Sequence, residues 1–305
     1  MFLNYKQLIR RREVRLRILS ALSWLPDTWM VRLQYKLHTG RTLELKNPQR
    51  YTEKLQLYKL RYRNPLMLQC TDKFEVRKVV EEVGLDSILI PLIGVYDCVE
   101  DIDIEKLPEQ FVAKTTDGGG GCEVFLCRDK TKLDRTAFFR TLNAWMRMPK
   151  GKHPGREWAY ENGFPRRIVI EEMISDTVRQ DLVDYKFFCF GGRVEYVYVV
   201  SERALGKGAK FGIYTRDFHK LPVSRADERP QTETLSCPVN YLRMIEIAER
   251  LARSFPHARI DLYNVNNGTI YFGEITFYDG SGYMAFEPDS FDFELGKPFN
   301  VGTFV

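Results

Sequence analysis

No apolar run in this chain approaches the roughly 18 residues that a membrane-spanning helix needs. The longest near the start, residues 18–25, covers eight positions. It follows a cluster of arginines and leads to no small-residue cleavage site, so a secretory leader is not expected. No two of the six cysteines have CxxC spacing, and four histidines scattered over 305 residues do not outline a zinc site. Reduced thiols in a cytoplasmic protein are the expectation. Repeats and low-complexity tracts are missing, and an aromatic content of 13% excludes disordered and collagenous classes. Acidic residues are scarce at one end only. The first 50 residues hold eleven Lys/Arg against three Asp/Glu, whereas the whole chain carries only +5. A nucleic-acid binder spreads basic residues over a binding face. This distribution describes a basic N-terminal arm instead, and nucleic acid is not an expected partner.

The length allows about two domains at roughly 150 residues each. Residues 5–65 read as helices: Val14, Ile18, Leu22 and Leu25 recur at helical spacing. Asp27 or Thr28 is placed to cap a helix over 29–37, and Thr52 one over 52–62. Thr71-Asp72 predicts a capped helix ending at Gly84. Strands are predicted at 88–93, 111–114, 123–127, 167–171, 185–190, 194–200, 259–263 and 270–276, the last two joined by Asn266-Asn267-Gly268, a good turn signal. Helices are predicted at 136–148 and 241–255, the latter with Leu242, Ile245, Leu251 and Phe255 on its apolar face. Residues 150–164 and 204–236 read as loops.

Three segments carry candidate chemistry. A strand ending in Lys114 runs into Gly118-Gly119-Gly120-Gly121. Four glycines cost backbone entropy, so bare amides near a polyphosphate are one reading and a flexible surface turn the other. The GK[ST] order of a P-loop is absent. In the last hairpin, Asp261 and Glu274 can be cross-strand neighbours on one face. Two such carboxylates suit Mg²⁺ when phosphate oxygens complete its shell; a solvated face with an Arg–Glu pair is the plainer reading. Arg259 shares the face of Asp261 and can hold developing negative charge. The strand Arg167-Ile-Val-Ile-Glu171-Glu172 is either a charged edge or a nucleotide-binding hinge, and Asp184 and Lys186 share one face of the next strand.

Together, Asn47-Pro-Gln-Arg-Tyr-Thr-Glu53-Lys54-Leu, Thr71-Asp72-Lys73-Phe-Glu-Val-Arg77, Leu107-Pro-Glu-Gln-Phe-Val-Ala-Lys114, Asp184-Tyr-Lys186-Phe-Phe-Cys-Phe190, Arg259-Ile-Asp261-Leu-Tyr and Tyr271-Phe-Gly-Glu274-Ile-Thr-Phe-Tyr278 resemble the TupA-like ATP-grasp family, linked to bacterial surface polysaccharides. The resemblance implies an α+β ATP-grasp fold, two α+β subdomains clamping ATP, behind a helical basic N-terminal region. It divides the chain into residues 1–70 and 71–305, with a nucleotide lid over about 108–165 and a hinge and metal-binding sheet over about 166–285. It implies that Lys73 and Lys114 meet nucleotide phosphate under Gly118, Gly119, Gly120 and Gly121. Glu171, Glu172 and Ile174 become adenine-hinge positions, with Asp184 near the ribose and Lys186 beside it. Asp261 and Glu274 become Mg²⁺ ligands, and Arg259 and Lys114 catalytic groups. Thr276 departs from the Glu-x-Asn of many superfamily members, so that its hydroxyl is either a weaker Mg²⁺ ligand or a group that serves substrate. The helical first 70 residues replace the βαβ acceptor domain of many relatives.

The activity implied is an ATP- and Mg²⁺-dependent carboxylate–amine ligase acting through an acyl-phosphate. It would join an amino acid or amine to a uronic-acid polysaccharide or lipid-linked glycan. The alternatives are a sugar-hydroxyl kinase and a non-catalytic nucleotide-binding module. Arg203 and the run Tyr278-Asp279-Gly280-Ser281-Gly282 are acceptor-site candidates, with ordinary loop residues the other reading. Arg10 to Arg17 suit either anionic lipid at the inner face of the membrane or a solvated helix.

Overall fold

The computed structural model describes residues 21–121, 123–148, 155–177, 182–202, 208–266, 268–302 and 304. The basic run Arg10 to Arg17 and Arg203 lie outside them.

Helices α1 (Asp27–Thr39), α2 (Tyr51–Arg61), α3 (Leu66–Cys70) and α4 (Val76–Glu82) open the described chain. Pro26, not Asp27, stands at the N-cap of α1. At α2 the carboxylate of Glu53 accepts from the Arg50 backbone N–H at 3.2 Å, closing one half of a capping box. Thr52 does not cap this helix: its hydroxyl donates to Asp292 at 2.8 Å. Asp72 accepts from the N–H groups of Phe74 and Glu75 at 2.9 and 3.0 Å, one turn ahead of α4.

A four-stranded antiparallel sheet follows, built from β1 (Leu92–Tyr96), β2 (Phe111–Thr115), β3 (Val124–Cys127) and β4 (Ile168–Glu172), in the order β1-β4-β2-β3. The strand expected at 88–93 thus sits further on, because residues 86–88 form a short 3-10 turn. Helix α5 (Arg135–Met146) covers this sheet through Phe138 and Leu142. Asp134 caps it, accepting from Ala137 N–H at 2.9 Å. The polar stretch before β4 contains α6 (Trp158–Glu161), whose Ala159 is fully buried.

The larger sheet contains β5 (Asp184–Phe190), β6 (Arg193–Ser201), β7 (Lys210–Thr215), β9 (Arg229–Pro230), β10 (His257–Val265) and β11 (Thr269–Thr276), in the order β11-β10-β5-β6-β7-β9. β7 lies in a region read as loop; its Lys210 and Gly212 interrupt an apolar pattern that Ile213 and Tyr214 nonetheless bury. A ribbon of β8 (Ser224–Arg225) and β12 (Phe286–Glu287) and a final helix α8 (Ser290–Gly296) complete the fold.

The strand period of two gives the large sheet two different faces. Tyr185, Phe187, Ile260, Leu262 and Ile275 are buried in its main core, which α7 (Tyr241–Ala252) joins through Tyr241, Met244, Ile245, Ala248 and Leu251. Leu242 is exposed, because the buried face runs through 241, 244, 245, 248 and 251, a row that Leu242 sits beside. The opposite face carries Asp184, Lys186, Arg259, Asp261, Glu274 and Thr276, and α2 belongs to the same core through Tyr51, Leu55 and Tyr58. His257 lies fully buried between Tyr51, whose hydroxyl is 3.0 Å from Nε2, and the carbonyl oxygen of Cys189, 2.9 Å from Nδ1.

Burial holds the His257 imidazole down at about 4, against the raising effect of its Cys189 hydrogen bond. A base depressed by folding contributes stability that is present above its ordinary value of 6.5 and is lost as the pH falls towards 4. Urea unfolding should therefore weaken by up to about 3 kcal/mol across that window. His257→Gln should flatten this part of the profile; an unchanged acid slope in the variant would remove His257 as its source.

Candidate active site

Glu274 and Asp261 are direct partners across β10 and β11, and Asp261 is in turn opposite Lys186 on β5. The three charged side chains therefore form one row across three strands. A bulge follows Asp261, where Gly273 lies with its Cα side against the Asp261 carbonyl; a Cβ there would sit 3.0 Å from that oxygen. The expected cross-strand pair is present, but no bare repulsion separates the two acids. Arg259 lies between them. Its Nε donates to Asp261 Oδ1 at 2.7 Å and its Nη2 to Asp261 Oδ2 at 2.8 Å. Nη2 also reaches Glu274 at 3.0 Å and Thr276 Oγ1 at 3.1 Å, and Nη1 pairs with Asp279. The Thr276 hydroxyl in turn donates to Glu274 Oε1 at 3.1 Å. Lys186 pairs with Asp184 at 2.6 Å and with Asp261.

The charges shape one another. Burial, the largest influence on Asp261, lifts its carboxyl above the ordinary range against the pull of Arg259 and Lys186. Glu274 keeps 44% of its side-chain surface exposed. Crowding by protein raises its carboxyl, yet Arg259, Lys186 and Lys73 prevail and hold it at about 2. Burial alone would pull Lys186 down, but the carboxylates of Asp184 and Asp261 hold it above the lysine range.

A second group faces this row from the smaller sheet. Lys73, Arg77, Leu89, Ile90, Lys114, Glu171, Phe272 and Gly273 line one cavity between β2, β4 and β11. Lys114 pairs with Glu171 at 2.5 Å, and Arg77 reaches the same carboxylate at 3.4 Å. Burial lowers Lys73, with Lys114 adding to the shift and Glu274 opposing it, so Lys73 feels both halves of the site. Its ammonium donates to the carbonyl oxygen of Gly118. The glycine loop continues from there: a Cβ on Gly118 would stand 2.4 Å from Thr115 Oγ1, whereas one on Gly119 or Gly120 would meet nothing within 4 Å. Gly120 and Gly121 take positive φ of 64° and 71°, which favours glycine. Arg166 anchors the loop base by pairing with Asp117 at 2.7 Å.

The structure therefore groups Lys73, Lys114 and Glu171 around one cavity, with Gly118 held by Lys73, and sets Asp184, Lys186, Arg259, Asp261, Glu274 and Thr276 on one face of the large sheet, whose Gly273 also lines that cavity. Glu171 turns toward Lys114 and Arg77, while Glu172 is exposed at the strand end and Ile174 is half-buried in the connection to β5. Tyr278 stands apart from the row: it is buried among aromatics, 5.9 Å from the Tyr58 ring and 6.2 Å from that of Tyr160. The Ser281 hydroxyl donates to Glu157, and the fully buried Lys59 donates to the Ser281 carbonyl at 2.9 Å.

Asp279 lies within the run read as an acceptor-site candidate, whereas Arg225, Glu228 and Arg77 escape a sequence reading of their roles. Asp279 is gripped by Arg259 and lies 3.6 Å from Arg225. Arg225 on β8 is 3.3 Å from Glu228. Burial and the Asp279 charge push Glu228 up to about 8. Arg225 and Glu228 belong to the stretch read as loop, where no periodicity marks an inward side chain. Arg77 sits inside a quoted motif, and only its contact with Glu171 distinguishes it.

Glu228 makes the cluster pH-sensitive. A carboxyl raised by folding contributes stability that is present below its ordinary 4.5 and lost as the pH rises through about 8. Glu228→Gln should gain thermal stability over the native chain progressively across that interval, measured by Tm at several pH values. A constant difference from acid to alkaline pH would show that Glu228 is not raised.

The TupA-like ATPgrasp family model matches residues 53–300. A search of curated proteins gave no match. Among solved structures, D-alanine–D-alanine ligase from Bacillus anthracis is 17% identical at a TM-score of 0.42, over 69% of this chain and 59% of that one. An L-amino acid ligase from Bacillus licheniformis is 17% identical at 0.44, over 76% of this chain and 49% of that one. D-Alanine-D-alanine ligase from Helicobacter pylori is 12% identical at 0.44, over 82% and 69%. The chain thus spans little more than half the length of the first of these and about half of the second. The family match over most of the chain identifies the molecule: it has the ATP-grasp fold, and it belongs to the TupA-like ATP-grasp family.

Proposed function

We propose that the chain is an ATP- and Mg²⁺-dependent carboxylate–amine ligase that produces ADP. Its acceptor is read as a uronic-acid-containing cell-surface polysaccharide or lipid-linked precursor, and its second substrate as an amino acid or amine. One observation carries the reading: Glu274, in a row with Asp261 and Lys186 that Arg259 bridges, lies within electrostatic reach of Lys73, which lines a cavity with Lys114 and Gly273.

The donor set fits Mg²⁺. Asp261 and Glu274 offer hard oxygen atoms from adjacent strands, and among the described residues no larger His, Cys, Asp or Glu cluster suited to a metal occurs. Two carboxylates with nucleotide oxygens are a sufficient shell. When bound, Mg²⁺ would neutralise phosphate charge. The protein's own groups do the remainder. Lys73 and Lys114 present ammonium groups to the phosphates. The Gly118–Gly121 loop brings backbone close to them without side-chain bulk. Arg259, anchored on both acids, supplies fixed positive charge where a carboxylate takes up the transferring phosphoryl group. The amine nitrogen then attacks the acyl carbon, the C–O bond to phosphate breaks, and an amide and inorganic phosphate result. The acceptor end is read beside Asp279, Arg225 and Glu228.

Screening ADP release against uronic-acid glycans with each amino acid tests the reading. An amide product supports the ligase; a phosphorylated sugar would replace it with a kinase, and no ADP with any acceptor would favour a nucleotide-binding module. Asp261→Asn and Glu274→Gln should each abolish Mg²⁺-dependent turnover, because each removes a charge with almost no volume. Lys114→Ala should cost about 2–4 kcal/mol of transition-state stabilisation, roughly 30- to 1000-fold in rate. Near-native ADP formation in any of the three would remove that residue from the site.

A further inference from the structure

Eight large apolar side chains are exposed among the described residues, and four of them fall within residues 24–37. Trp29, Leu33 and Leu37 follow one another at intervals of four along α1, so they form one stripe. They are 70%, 42% and 47% exposed, and Trp24 just before the helix is 75% exposed. The helix is not inverted. Its other face buries Met30, Val31, Gln34 and Tyr35; Val31 and Tyr35 pack with Leu43, Leu45, Leu60 and Tyr283, and Gln34 accepts from the Tyr283 hydroxyl at 2.7 Å. The stripe is thus additional to the face that folding uses.

Its flanks are basic. Arg32 and Lys36, both exposed, each precede a stripe leucine by one position. The acid of the helix, Asp27, lies 3.5 Å from the buried Arg156 Nε. The chain immediately before this segment, residues 1–20, contains six Lys/Arg and one Glu. Tryptophan has an apolar body and a polar N–H, which suits the boundary between acyl chains and headgroups. Lysine and arginine stems can lie along that boundary with their charges in the headgroup layer. A second copy of the chain is the poorer occupant, since an isologous contact would set Arg32 and Lys36 against their own counterparts.

We propose that the Trp29–Leu33–Leu37 stripe of α1, with the exposed Trp24 just before the helix and with Arg32 and Lys36 beside it, docks on an anionic phospholipid bilayer. The helix lies along the interface, apolar stripe inward, and the basic side chains meet lipid phosphates. Nothing in this contact requires turnover, so it stands apart from the ligase reading.

Flotation of the full chain with vesicles tests it. Vesicles containing phosphatidylglycerol should carry the protein, and pure phosphatidylcholine vesicles should carry little. Capture should fall steeply with added salt, since exposed charges are screened. Trp29→Ser with Leu33→Ser should reduce capture about tenfold or more, and Arg32→Glu several-fold, at about fivefold per basic charge near the surface. ADP formation with a soluble acceptor should be unchanged in these variants. Equal capture by both vesicle types, no capture by either, or undiminished capture of the double variant would overturn the proposal. So would light scattering that shows a dimer which the double variant converts to monomer.

Discussion

Arg259 is the tie on which the rest of the site depends. One guanidinium holds Asp261 through two parallel hydrogen bonds and also reaches Glu274, Thr276 and Asp279. Asp261 and Glu274 are neighbours across two strands, and without a cation between them like charge would oppose that register. The planar fork grips Asp261 through two parallel hydrogen bonds while reaching two further carboxylates, a geometry that the point charge of a lysine does not offer. Removing it would leave the buried Asp261 and Asp279 with only Lys186 and Arg225 as partners, a change that costs more than losing an exposed pair.

Such a charged row is affordable only on a rigid support. The face of the large sheet that meets α7 is apolar from β11 to β6, with Ile275, Ile260, Phe187 and Val197 fully or almost fully buried. That burial positions β5, β10 and β11, and the alternation of the strands turns the polar residues to the other side. Buried charges with fixed partners need little rearrangement when a substrate's charge develops beside them.

The helical start of the described chain is joined to the same site. Tyr51 and Tyr58 pack in the main core with Phe299 and His257. Gln56 and Lys59 donate to the carbonyls of Ser281 and Gly282, in the turn that follows β11. Burial lowers Lys59 to about 8 against the pull of Glu157, so this lysine acts as a set of hydrogen-bond donors to backbone more than as a member of an ion pair. The turn carrying Asp279 is thereby held from the α2 side as well as from Arg259.

Much of this was legible in the residues. Apolar alternation and the Asn-Asn-Gly turn located the β10–β11 hairpin, and the count between Asp261 and Glu274 placed the two acids opposite each other, because antiparallel pairing around a short turn leaves little freedom of register. The glycine run after Lys114 marked a loop for the same local reason. The family motifs identified the fold. Local pattern could not show that Arg259 spans both acids, that Glu171 meets Lys114 and Arg77, or that Lys73 lies between the two sheets, since each contact joins elements far apart in the chain. Nor could it assign Arg225 and Glu228, which come from a stretch without periodicity and reach the site only when the β8–β12 ribbon forms. Tyr278 and Leu242 show the same boundary. Their neighbours in sequence suggested a site residue and a core residue, but helix rotation and aromatic packing buried the first and exposed the second. Sequence determined which side chains share a strand face, because backbone period is local; tertiary structure decided which charges meet, because only packing brings distant faces within hydrogen-bonding reach.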